Sequence, residues 1–290
     1  MNTRAKHVES VLPTPPMHWV GDGFPVSSVI SPHAVGSRLS PFVLMDYAPP
    51  VRFEPSDRPR GVDTHPHRGF ETVTVVFQGE LEHRDSAGNS GRIGPGDVQW
   101  MTAGAGVLHE EKHSREFTHR GGAFEVVQLW VNLPAKHKMT PPRYQELPAS
   151  AIPSVQLPGD AGTARVIAGD FAGVRGPAAT VTPVVLWDVR LRAGARAELP
   201  IPEGHNAAFF VRRGSVGVAG ERDVSAGELA LLSRAGAGAA VESADGADLL
   251  VLAGEPIDEP VVAYGPFVMN TAEEIQQAVA DVRAGRFGRL

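Results

Sequence analysis

Along most of the chain, apolar and polar residues alternate in short runs. ETVTVVFQG (71–79), AFEVVQLWVNL (123–133), VVLWDVRL (184–191), AAFFVRRGSVGVAG (207–220), ELALLS (228–233) and LLVLAGEP (249–256) are rich in valine and stop at Gly, Pro or Asp. A period of two with frequent turn residues predicts many short strands packed as a sandwich or barrel. One segment breaks the pattern. NTAEEIQQAVADVRAGRFG (270–288) offers Asn270 or Thr271 as N-cap, acids in the first turn, apolar positions at Ile275, Val279 and Val282, and Gly285 as a stop. That spacing predicts a short C-terminal helix, and a second short helix is expected near Ser150.

The β-pattern occurs twice. VVFQGEL followed by RIGPGDVQWMTAG in the first half matches AAFFVRRGSVGV followed by DVSAGELALLSRAG in the second. Gly79 and Gly214 close one strand of each copy, and Gly96-Asp97 and Gly227-Glu228 open another. Two related β-domains in tandem are expected. The Pro-rich stretch 133–154 is the connector, so the domains are taken as 1–145 and 146–290.

Composition narrows the chemistry. The 290 residues are 42% hydrophobic and 21% charged, as in a folded soluble protein. The net charge of −6 argues against a direct nucleic-acid ligand. There is no cysteine, which excludes disulfides, thiolate metal sites, iron–sulfur clusters and a cysteine nucleophile. The first sixteen residues have no apolar core of the secretory kind, and no apolar run approaches ~18 residues, so a cytoplasmic location away from membranes is expected.

Two clusters carry candidate metal ligands. In DTHPHRGFETV, His65 and His67 are two apart, and on a strand both project to one side. Glu71 has the same parity. In VLHEEKH (107–113), His109, Glu110 and His113 spell H-E-x-x-H, the helical zinc signature of many metalloproteases. Gly104 and Gly106 just upstream, and THRGG just downstream, leave too little room for the ~10–12 residues of a stable helix. As a strand, the same segment puts Val107, His109 and Glu111 on one face. Two neighbouring strands would then aim three imidazoles and a carboxylate at one ion. Nitrogen and oxygen donors suit iron, nickel, copper, manganese, cobalt or zinc, and parity alone leaves both Glu71 and Glu111 open.

These motifs resemble the pirin family of cupin proteins. HPHRGFETV, PGDVQWMTAGAGVLHEE, VQLWVNL, YQEL and AGEPIDEPVVAYGPFVMNTAEEI all read as pirin segments and span about residues 40–280. The resemblance implies an all-β bicupin, two jelly-roll barrels (double-stranded β-helices) in tandem, with one divalent metal, usually Fe(II), in the first. Carried over, the ligands are His65, His67, His109 and Glu111. Glu71 becomes a supporting residue that orients a ligand or the neighbouring Arg68. The second copy has only His205 followed by Ala207 where the first has His-Pro-His, so it is expected to be a barrel without metal. The resemblance further implies quercetinase-like ring opening of a flavonol by O2, with Glu111 as base and Phe53, Phe70 and Trp100 as candidates to pack the aromatic rings. Each fits plain core equally well, and Trp100, in an alternating strand, fits core better than a pocket. The competing implication is a non-catalytic regulatory protein whose metal or redox state governs binding to a transcription factor or metabolic enzyme. A monomer is expected.

Overall fold

A computed structural model of the chain describes residues 5–32 and 34–290. Its regular structure is almost all antiparallel strand, and it divides into two compact units, each a β-barrel. The units do not follow one cut near residue 145. One comprises Pro16–Ala34, Phe42–Ala149 and Ile257–Leu290, and the other the described residues up to Pro15, Val35–Pro41 and Ser150–Pro256.

The physical reason for the exchanged C-terminal end is the amphipathic helix Ala272–Arg283. Its Ile275 and Ala278 are buried with Phe267, Met269 and Phe287, and Leu108 of the first barrel packs against this cluster. Thr271 caps it in a reciprocal capping box with Glu274, which offsets the orphan amides of the first turn. The expected helix near Ser150 is a single 3-10 turn, Ala149–Ala151. A short helix, Arg115–Arg120, went unread in the sequence.

In the first barrel, two sheets face each other. The larger contains the strands Phe42–Phe53, Phe70–Gln78, Val98–Thr102 and Gly122–Asn132, and the smaller contains Gly61–His67, Leu81–Asp85 and Val107–His113. The strand Val107–His113 lies between the other two, with His109 opposite His65 on one side and Asp85 on the other. Its burial alternates strictly: Val107, His109, Glu111 and His113 are buried, and Leu108, Glu110 and Lys112 are not. The H-E-x-x-H reading therefore fails. Glu110 points outward to Arg84 at 2.7 Å, and His113 sits among the rings of Phe24, Phe53, Phe117 and Phe124.

The other barrel has an apolar interior. Val185, Trp187, Val189, Ala207, Phe209, Val211, Leu249 and Val251 form one buried cluster. Ala207, two residues after His205, is part of that filling. Among the described residues no helix is long and apolar enough to cross a membrane.

The turn after His67 is tightly enclosed. Gly69 has φ +88°, and a Cβ there would lie 2.1 Å from the carbonyl oxygen of Val268. Gly69→Ala combines left-handed strain with a backbone clash and is expected to lower unfolding stability by roughly 3 kcal/mol, read by denaturant titration. The same change at Gly88, whose φ is +90° but whose Cβ would meet nothing within 4 Å, is expected to cost only about 1 kcal/mol.

Candidate metal centre

His65, His67 and His109 come together. One ring nitrogen from each lies within 4.8 Å of the others, and this is the only such group of three or more potential ligands among the described residues. Pairing of Gly61–His67 with Val107–His113 creates it. His65 and His109 are direct cross-strand partners, and the two-residue spacing puts His67 on the same face as His65.

Hydrogen bonds fix which nitrogen is free. His65 Nδ1 donates to the Asp63 carbonyl at 2.8 Å, and His67 Nδ1 donates to the Pro266 carbonyl at 3.3 Å. A carbonyl can only accept, so each Nδ1 carries a proton, and in the neutral form of both rings the two Nε2 atoms carry lone pairs. Those two Nε2 atoms face each other at 3.1 Å. Two lone pairs at that distance repel unless a cation lies between them. Two nitrogens each ~2.1 Å from one ion and about 90° apart would stand ~3 Å from each other. His109 completes the case: it is fully buried, and neither ring nitrogen has a hydrogen-bond partner. Burial, reinforced by the charges of His67 and His65, holds the His109 pKa well below the usual imidazole value; His67 is lowered chiefly by burial, then by His65. Neutral imidazoles with unshared lone pairs are what a transition metal requires. The residues fit a metal.

Glu111 is buried on the same face of its strand but is not part of that group. The register slips between His109 and Glu111, so Glu111 stands opposite Val62 rather than Asp63. Its Oε1 accepts from Thr74 at 3.1 Å and from Gln99, and its Oε2 accepts from Gln128 at 2.7 Å. Oε1 is thus saturated, whereas Oε2 keeps one lone pair. Glu71 faces the other way. Thr72 and Thr74 share a face of their strand, and since Thr74 reaches Glu111, Glu71 projects from the opposite face, where Thr102 donates to it at 2.7 Å. Burial pushes its carboxyl pKa up, against that hydrogen bond. Arg68 does not engage Glu71. Its Nε donates to the Ala105 carbonyl at 2.6 Å, and its guanidinium pairs with Asp281 at 2.9 Å and lies over the Phe287 ring.

The three aromatic candidates separate. Phe70 is at the site, its ring 5.0 Å from that of His67. Phe53 is not. It packs on His113, 4.6 Å away, four residues or about 13 Å along the strand from His109. Trp100 is core: its neighbour Gln99 reaches Glu111, so Trp100 points from the opposite face of the sheet.

Sequence reasoning missed several residues at the site. Trp130 packs on Phe70 at 4.3 Å and on His67 at 5.3 Å. His83, across from Glu111, brings a fourth imidazole within 5.4 Å of His109, tethered to Asp85 and stacked on Tyr144. The alternation of LEHRD could have placed His83 inward, since Leu81, His83 and Asp85 are its buried positions.

Comparison with known proteins was consistent along the chain. The Pirin family model matches residues 23–131, and the Pirin C-terminal cupin domain model matches residues 186–288. A protein of Pseudomonas aeruginosa, whose name gives quercetin 2,3-dioxygenase as a provisional activity, is 55% identical over 94% of this chain and 95% of its own length. Human Pirin is 39% identical over 86% of this chain and 83% of its own. The crystal structure of a quercetin 2,3-dioxygenase from Acinetobacter baumannii superposes with a TM-score of 0.96 at 48% identity, covering 98% of this chain and 99% of that one.

His113, buried at the foot of the same strand, gives a pH test. Its Nε2 donates to the Gly23 carbonyl, yet burial lowers its pKa to about 4 from 6.5. The folded value lies below the unfolded one, so as pH falls below 6.5 the unfolded state gains a proton that the fold refuses, and stability is lost between pH 6.5 and about 4. Over that window the stability advantage of wild type relative to His113→Leu should fall by about 3 kcal/mol, read from denaturant curves.

Proposed function

The chain belongs to the pirin family, and on that premise we propose that its first barrel is a metal-dependent dioxygenase of the quercetin 2,3-dioxygenase type, opening flavonol rings with O2. The observation that carries the reading is the pair of imidazole lone pairs facing each other beside an unpartnered, buried His109. Relatives named for quercetin 2,3-dioxygenase activity support the substrate class.

His65, His67 and His109 are the proposed ligands, with Glu111 as the fourth donor and Fe(II) as the metal. Nickel, copper, manganese, cobalt and zinc suit the same nitrogen and oxygen donors. Bound there, the metal would supply Lewis acidity and a place to hold an aromatic enolate within reach of O2. The protein does the rest. The one spare lone pair of Glu111 Oε2 serves either the metal or, once the flavonol displaces the carboxylate from it, the proton of the flavonol 3-hydroxyl, while Thr74, Gln99 and Gln128 keep the carboxylate from swinging away. Phe70 and Trp130 form an apolar wall beside His67 suited to a planar ring, and Met101 and Val107 make the neighbouring interior dry.

The alternative, a metal- or redox-dependent regulatory protein that binds a protein partner, draws on relatives named simply Pirin. Turnover separates the two. Protein purified without oxygen should consume O2 when given quercetin and Fe(II), and His109→Ala should lower that rate at least about 100-fold with its circular dichroism unchanged. Undiminished uptake in His109→Ala would contradict the site. No uptake by metal-loaded wild type would favour the regulatory reading.

A second prediction concerns the two acids. Glu111→Gln should lower kcat by about 100-fold or more through loss of the base. Glu71→Gln should leave kcat within about threefold of wild type, because a carboxyl on the far face of the sheet touches neither ligand nor substrate. Steady-state kinetics with quercetin reads both.

A further inference from the structure

The strand that carries His65 and His67 ends in the Arg68-Gly69 turn, and the C-terminal segment holds this turn at several points. The Val268 amide donates to the Arg68 carbonyl at 3.1 Å, and Phe267 bridges to Arg68 in parallel register. Pro266 supplies the carbonyl that orients His67. Asp281 of the terminal helix pairs with the Arg68 guanidinium. A buried lysine completes the arrangement. Lys138 is 1% exposed, and its Nζ donates to the Gly69 carbonyl at 2.9 Å, to Asn132 Oδ1 at 2.7 Å and to the Val268 carbonyl at 2.7 Å.

Resting on the metal-site reading above, we propose that Lys138 is a positioning residue of the metal centre. It ties the turn after His67 to the hairpin of Val262–Tyr264 and Phe267–Met269, so that this C-terminal hairpin is part of the metal site. The geometry explains why. All three ammonium protons are used, one on each of three separate stretches of chain, and no shorter or uncharged side chain supplies three donors at one point. Burial brings the Lys138 pKa down to about 8, with Glu274 and Glu259 pulling it back up, so the ammonium form persists at neutral pH. With Lys138 absent, three buried acceptors lose their donor and the turn is free to part from Val268. The Pro266 carbonyl then leaves His67 Nδ1, and the ligand loses the hydrogen bond that fixes its tautomer and ring angle. Losses of such supporting partners typically weaken metal binding by about 10–100-fold.

Coupling of this kind is reciprocal: if the hairpin stabilises the bound metal, metal must stabilise the hairpin to the same extent. The test therefore has two arms, both on the full chain and neither dependent on turnover. In the first, Co(II) affinity and the visible Co(II) spectrum are measured by chelator competition for wild type, Lys138→Met and Lys6→Met. Lys6 is an equally buried lysine in the other barrel, donating to the carbonyls of His205, Ser233 and Arg234. The expected result is at least about tenfold weaker Co(II) binding and a shifted spectrum for Lys138→Met alone. In the second arm, amide exchange of wild type is followed with and without Co(II). Protection of the Val268 amide should rise at least about tenfold, while that of Val211, bonded to Glu228 in the other barrel, should not change.

Should Lys138→Met fail to fold, Lys138→Arg takes its place in the first arm, and the exchange arm still decides whether hairpin and metal are coupled. Equal Co(II) affinity in wild type and Lys138→Met, equal weakening by Lys6→Met, or a Val268 amide indifferent to metal would each overturn the proposal while leaving the three-histidine site standing. Failure of wild type to bind Co(II) at all would instead remove the metal-site reading, and this proposal with it.

Discussion

Two imidazole nitrogens with their lone pairs turned toward each other are the constraint around which the first barrel is arranged. Each ring is set by a backbone carbonyl, one from Asp63 two residues earlier on the same strand and one from Pro266 almost two hundred residues away. Beside that opposition, the third imidazole, His109, is buried with neither ring nitrogen partnered, a cost in free energy unless something satisfies it. A soluble protein rarely keeps such groups without something to satisfy them. A cation satisfies all three together, which is why the arrangement reads as a site and not as core histidines.

What keeps the opposition in place is mostly architecture. The site sheet has the His109 strand at its centre, so both its edges are paired. The larger sheet supplies Thr74, Gln99 and Gln128 as a neutral polar frame for Glu111, and Phe70 and Trp130 as an apolar flank. The C-terminal hairpin and helix close over the turn that follows His67. The other barrel repeats the strand pattern, and its interior is filled by apolar side chains. One copy of the fold thus fills its interior with apolar packing, and the other keeps a cluster of imidazoles there.

Much of this was legible in the sequence because strand periodicity is local. VLHEEKH alternates, and alternation with glycines upstream is enough to reject a helix and to put His109 and Glu111 on one face. The same reasoning placed His65 with His67. What parity could not give was register. The slip between His109 and Glu111 depends on the partner strand, so it left open how near Glu111 comes to the three rings. Parity also misled for Glu71, because counting twos from His67 runs across the Arg68-Gly69 turn, where one strand ends and the next begins in the other sheet. The pocket aromatics were the least legible. Phe53 and Trp100 are as apolar as Phe70 and Trp130, and only the sheet faces and the distance along the barrel distinguish them. The exchange of chain ends between the two units is likewise non-local: nothing in NTAEEIQQAV states which barrel its apolar face will cover.

The most direct measurement is anomalous diffraction from crystals of protein purified without oxygen, collected on both sides of the iron edge. The account predicts a single peak about 2.1 Å from His65 Nε2, His67 Nε2 and one nitrogen of His109, with none in the other barrel. A first barrel without a peak, its histidines joined instead by ordered water or by a shared proton, would contradict it.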